Sequence, residues 1–278
     1  MRTFLLTLLL VDSLAPQLTS QVAPGPDTIA VRSGTLTLRG LLWRPAGGGP
    51  FPAILFNHGS YGVGDTLEPA QPAVLGTVFA KHGYVFLFLC RRGVGLSTNQ
   101  GAAEGDLMAQ ALADHGEGGR NRVQLQLLQT EALTEASAGL AVLRALPSVN
   151  PRQIGIVGHS FGGSLTVFLA AHDTTFRAAV VFSGSARSWK LSPELRRALL
   201  GAVGRTTAAF FFVHAANDYS TAPGQALAAE MQRRGRPHRL KIYPPAGGTR
   251  SEGHNFIYRD VAMWEPEVFA FLDEYLRP

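Results

Sequence analysis

With 278 residues, 46% of them apolar and 16% charged, the sequence has the composition of a globular protein with a packed core, which excludes a disordered or highly solvated chain. The formal charge of +5 is scattered, with no basic run longer than the pairs Arg91-Arg92, Arg196-Arg197 and Arg233-Arg234. Without a basic stripe or a stacking motif this argues against a nucleic-acid partner. A lone cysteine, Cys90, excludes an intramolecular disulfide, and its place at the end of an apolar run predicts a buried packing residue.

The chain opens with Arg2 and the apolar run 4–11, the pattern of a secretory signal peptide over residues 1–20, with small residues before a cut at Gln21 or after Ala23. This predicts a secreted or periplasmic protein, with an uncleaved anchor as the alternative. Eight apolar residues are too few to span a bilayer, so no membrane span is expected once the leader is removed. Residues 21–27 read as a Pro-rich linker, and residues 28–278 as a single domain.

That domain begins with two strands, 28–32 and 36–44, around the turn Ser33-Gly34. The wholly apolar run 52–56 ends in Asn57-His58-Gly59-Ser60, as expected of a strand buried on both faces and followed by a loop. From there helices and strands alternate: a helix over 71–82, a strand at 84–89, a long helix over 124–146 and a strand at 153–157. A helix at 160–171, strands at 178–182 and 208–214, a helix at 224–234, a strand at 239–243 and a helix at 265–276 complete the order. The fold class is therefore α/β, a doubly wound, mostly parallel sheet of about eight strands with helices on both faces. Residues 99–122, rich in Gly and Ala, interrupt the alternation, either as a small lid over a site or as a surface loop.

The sequence Gly158-His159-Ser160-Phe161-Gly162 joins an apolar strand to a helix. A serine at the apex of such a turn has its hydroxyl pushed clear of the sheet, and the flanking glycines let the helix pack beneath it. A serine hydroxyl needs a base, and the base needs an acid to orient it. With the order Ser, acid, His along the chain, each on a loop after a strand, the acid is Asp218 in His214-Ala215-Ala216-Asn217-Asp218. Asp173, at a helix end, reads as a capping residue. The base is His254 in Gly253-His254-Asn255-Phe256, beyond the last strand. His58 and His159 precede the acid and read as structural, and His82, His115, His172, His214 and His238 as exposed or packing residues. An oxyanion would be held by the backbone amide of Phe161 together with that of Ser60 or Tyr61. Tyr61, Trp189, Tyr219 and Phe256 are candidates either for a substrate pocket or for the core.

These motifs, with Gly40-Leu41-Leu42-Trp43-Arg44-Pro45, Pro50-Phe51-Pro52-Ala53, His58-Gly59-Ser60 and Arg92-Gly93-Val94-Gly95-Leu96-Ser97, resemble the dienelactone hydrolase-like and prolyl-oligopeptidase-like branches of the α/β-hydrolase superfamily from about residue 28 onward. The resemblance implies the α/β-hydrolase fold and a serine hydrolase that forms an acyl-enzyme and needs neither metal nor cofactor. Dienelactone hydrolases typically use a cysteine where Ser160 stands, and the residues before Thr28 leave no room for the propeller of the peptidase branch, which disfavours peptidase activity. A small-molecule carboxylic ester is the expected substrate. Thioesters, amides or perhydrolysis by the same triad remain alternatives, as does an exported binding protein that keeps the fold without turnover.

Overall fold

A computed structural model describes residues 25–62 and 67–277. The expected leader at 1–20 and residues 21–24 of the expected linker lie outside the described residues. Eight strands form one sheet: β1 (Asp27–Ser33), β2 (Leu36–Trp43), β3 (Phe51–Asn57), β4 (Val85–Cys90), β5 (Val149–His159), β6 (Ala178–Phe182), β7 (Ala209–Ala215) and β8 (His238–Tyr243). Their order is β1-β2-β4-β3-β5-β6-β7-β8. β2 pairs antiparallel with both β1 and β4, and every other pairing is parallel. All eight strands fall where the hydrophobic runs predict them, because a central parallel strand is apolar on both faces: every residue of β4, β6 and β7 is buried.

Two apolar layers hold the sheet. One packs under α3 (Glu131–Ala145), α4 (Phe161–His172), α5 (Pro193–Val203) and α6 (Ala222–Arg233), around Leu55, Leu87, Leu140, Leu165 and Phe212. The other lies under α1 (Ala70–Lys81) and the last helix, α9 (Val261–Leu276), around Phe56, Phe86, Phe182, Trp264 and Phe271. α7 (Arg250–His254) and α8 (Phe256–Arg259) are single turns between β8 and α9. Cys90 is buried and free at the end of β4, as its apolar setting predicts.

The helices depart from expectation in three places. The stretch 99–122 is mostly helical: a 3-10 segment, Gly95–Gln100, leads into α2 (Glu104–Gln129), which kinks at Gly116, where φ is 64°. The predicted helix 124–146 is two helices, since the chain breaks at Thr130 between α2 and α3. α5 was not expected, yet its signal is present in the sequence. Ser192 accepts from the amide of Leu195 as N-cap, Pro193 follows, and Leu195, Leu199 and Ala202 recur at helical spacing on the buried face. Among the described residues no helix is long and apolar enough to cross a membrane.

Candidate active site

Three loops at the carboxyl ends of β5, β7 and β8 meet at one point. β5 delivers Ser160 directly, with φ 55° and ψ −115°, a conformation that L-residues adopt only under strain. The close approach of two glycines makes that turn possible. A Cβ on Gly158 would lie 2.2 Å from the Gly162 carbonyl oxygen, and one on Gly162 would lie 2.0 Å from that of Asn57.

His254 closes α7, whose start is fixed by a capping box between Thr249 and Glu252. Its imidazole Nε2 accepts from Ser160 Oγ at 2.9 Å, and its Nδ1–H donates to Asp218 Oδ1 at 2.7 Å. Asp218 lies three residues past β7, with its side chain fully buried. Its Oδ1 also accepts from the amide of Tyr219 at 2.7 Å, and its Oδ2 accepts from His214 Nδ1–H at 2.8 Å. Burial alone would raise the Asp218 carboxyl, but the hydrogen bonds from His214 and His254 prevail and hold it well below the usual carboxylate range. Asp173, the rival acid, is bound instead to Arg144 and Thr175 at the end of α4.

The sequence reading treats His214 as a packing residue, whereas the structure places it on the second oxygen of Asp218. A histidine inside an apolar strand gives no sign of its partner until the turn after β7 brings residue 218 back over it. A second buried histidine, His159, donates from Nε2–H to the carbonyl of His254 at 2.9 Å and so braces the segment that carries it. His58 and His159 are both buried and hydrogen-bonded to backbone carbonyls, of Gly59 and His254, and both stay neutral. Burial, with the adjacent Arg91, holds His58 well below its ordinary value, and burial, with the neighbouring His254, pushes His159 down to about 3.

These two imidazoles fix a pH dependence of stability. In the unfolded chain a histidine protonates below about pH 6.5. The folded chain does not follow, so stability is full above that pH and falls beneath it. For His159, pushed down to about 3, this should cost about 2 kcal/mol between pH 7 and pH 5, and His58 adds a loss of the same sign. His159→Gln keeps a donor for the His254 carbonyl and removes one titration. Denaturant melts at the two pH values should show a loss about 2 kcal/mol smaller in this variant, and an unchanged loss would contradict the assignment.

Ser160 opens into a cavity of about 320 Å³ whose lining includes Gly59, Ser60, Tyr61, Phe161, His254, Ser185 and Ser188. Phe161 begins α4, so its amide has no intrahelical acceptor. The loop after β3 lies directly against Ser160, since a Cβ on Gly59 would be 3.5 Å from Ser160 Cβ. Met108, Arg120 and Gln124 of α2 form one wall. Arg120 and Arg187 are its charged side chains, and no Asp or Glu is among the described lining residues. Of the aromatic candidates, Tyr61 lines the cavity and Tyr219 stands edge-on to His254 with ring centroids 5.2 Å apart, while Trp189 and Phe256 are core. No group of three or more His, Cys, Asp or Glu side chains among the described residues is arranged to hold a metal ion.

The family model for the dienelactone hydrolase family matches residues 38–262, a span that contains Ser160, Asp218 and His254. The chain belongs to the dienelactone hydrolase family. Curated relatives include a Synechocystis sp. protein named "Putative carboxymethylenebutenolidase", 25% identical over 56% of this chain and 58% of its own length. A polyketide transferase of Penicillium sp. is 27% identical over 77% of this chain and 65% of its own. The chain thus matches less than two thirds of either relative's length. Among solved structures, the dienelactone hydrolase of Anabaena variabilis superposes with a TM-score of 0.59 at 18% identity, covering 91% of this chain and all of that one. The acylaminoacyl peptidase of Pyrococcus horikoshii gives 0.64 at 18% identity over 90% of this chain and 42% of its own. These likenesses establish the α/β-hydrolase fold.

Proposed function

We propose that this dienelactone hydrolase family member is an exported serine hydrolase that cleaves carboxylic esters through Ser160, His254 and Asp218. The observation that carries the reading is the unbroken hydrogen-bond chain from Ser160 Oγ through the His254 ring to Asp218, at 2.9 and 2.7 Å, at the mouth of a cavity. His254 Nε2 takes the Ser160 proton as Oγ attacks the ester carbonyl, and Asp218 stabilises the imidazolium that forms. The amide of Phe161, with that of Ser60 or Tyr61, receives the oxyanion. The imidazolium then protonates the leaving alcohol, and a water activated by the same ring releases the acid and regenerates Ser160 Oγ–H.

The cavity supports a polar substrate. Two arginines without a neighbouring carboxylate, Arg120 on α2 and Arg187 after β6, favour an ester that carries negative charge. The helical wall formed by α2 serves as the lid, and export follows from the expected leader.

The test is active-site labelling of the purified protein with a fluorophosphonate, followed by peptide mapping. A single adduct on Ser160, together with hydrolysis of short p-nitrophenyl esters, is expected. Matched ester, thioester and amide substrates then rank the leaving groups. No adduct and no turnover would instead favour a binding protein that retains the fold.

A further inference from the structure

The loop after β3 must present an amide to the oxyanion, yet a Gly-containing loop has no intrinsic reason to hold one peptide plane. The structure supplies that reason from outside the loop. Arg91, at the first position after β4, is 1% exposed, and one guanidinium nitrogen, Nη2, donates to the carbonyl of His58 at 2.9 Å and to that of Gly59 at 3.1 Å. The Gly59 carbonyl accepts a second bond, at 2.6 Å, from Nδ1–H of the buried His58. His58 is itself locked, because its Nε2 accepts from the Arg91 backbone amide at 3.2 Å.

Two donors on one carbonyl oxygen fix the orientation of its peptide. In a trans peptide the following N–H points opposite to the C=O. The Gly59 carbonyl points toward Arg91 and His58, neither of which lines the cavity, so the Ser60 N–H points the other way, toward the side that Ser60 and Ser160 share. The same guanidinium lies 5.4 Å from the ring centroid of Phe161, the residue whose amide is the other donor. Its Nε donates to Glu104 at the start of α2, and Gly105 of that turn donates to the Tyr61 carbonyl at 2.9 Å. The charge of Arg91 is thereby neutralised, and the start of α2 is tied to the same loop.

We propose that Arg91, paired with Glu104 and assisted by His58, is a positioning residue that aims the Ser60 amide at the oxyanion. The proposal rests on the reading of Ser160 as nucleophile. It also resolves the choice between Ser60 and Tyr61 in favour of Ser60, since it is the Gly59–Ser60 peptide that is held.

An amide turned out of line weakens a contact made only in the transition state, so kcat should fall while KM stays. The two donors are removed by separate routes. His58→Leu deletes one without burying a charge, and the double substitution Arg91→Met with Glu104→Met deletes the other without leaving a carboxylate unpaired. Each variant, checked for folding by circular dichroism, is assayed on p-nitrophenyl acetate and with a trifluoromethyl ketone, which binds as an oxyanion adduct. A ten- to hundredfold fall in kcat with KM within twofold, and an equal loss of ketone affinity, is expected. His58→Asn, which offers an amide N–H in place of Nδ1–H, should recover most of the loss. Wild-type kcat and ketone affinity in either folded variant would overturn the inference alone. A wild-type protein that is neither active nor labelled at Ser160 would overturn the hydrolase reading and this inference with it.

Discussion

Ser160→Ala is expected to lower kcat toward p-nitrophenyl acetate by a factor on the order of 10⁵ to 10⁶, with the fold intact. The size follows from what one oxygen does in the proposed mechanism: it is the atom that forms the acyl bond, and its proton is the one His254 removes. What survives is the ground catalysis of a cavity that still binds the ester and still offers two amides to an oxyanion. The substitution leaves the backbone of residue 160 at φ 55°, so it neither relieves nor adds strain there. Only the hydrogen bond to His254 is lost, about 1 kcal/mol. A melting temperature within about 4 °C of wild type should therefore accompany the loss of activity. Purified Ser160→Ala protein that keeps more than about one hundredth of wild-type kcat would remove Ser160 from the role proposed for it.

The order of these groups along the chain is legible in the sequence, and the reason is local. A parallel strand buried on both faces writes itself as an apolar run, and the carboxyl end of such a strand is where a side chain can leave the sheet. β5 and β7 end directly before Ser160 and three residues before Asp218, and His254 is the one histidine between β8 and the last helix, so the apolar runs, the glycine-flanked turn and the chain order together single out these three residues. The α2 region shows the opposite case. Its buried residues are few and partly polar, among them Gln124 at the cavity wall and Asn121 bonded to the Leu191 carbonyl, because the helix covers a polar cavity rather than an apolar sheet, and the periodicity that announces a helix is correspondingly weak. Pairings made by side chains outside the triad were not readable at all. Nothing near Arg91 in sequence says that its guanidinium crosses to the His58 and Gly59 carbonyls, and nothing in the β7 run says that His214 will donate to Asp218. The first is a side chain reaching from the end of β4 to the loop after β3, neighbours only in the sheet, and the second is made by the turn that folds Asp218 back over the end of β7.

That second histidine bears on what Asp218→Asn should do. The carboxylate accepts three donors, with His254 and Tyr219 on Oδ1 and His214 on Oδ2. An asparagine can accept on one side only. If its NH₂ faces His254, it opposes the Tyr219 amide and forces His254 to carry its proton on Nε2, where it cannot receive that of Ser160. If its NH₂ faces His214, that ring must move its own proton to Nε2, which is buried without a partner, at a cost of about 1 to 3 kcal/mol. His254 then keeps its tautomer but has lost the negative charge that stabilises its protonated form. Either arrangement disables the base, and kcat is expected to fall by about 10⁴. Groups that act as one unit do not contribute additively, so Asp218→Asn in the Ser160→Ala background should cost almost nothing further. Kinetics of the two single variants and the double variant on one ester measure this directly. A double variant slower than Ser160→Ala by the full factor of Asp218→Asn would mean that Asp218 acts independently of Ser160, and the chain of hydrogen bonds between them would then not be the catalytic unit.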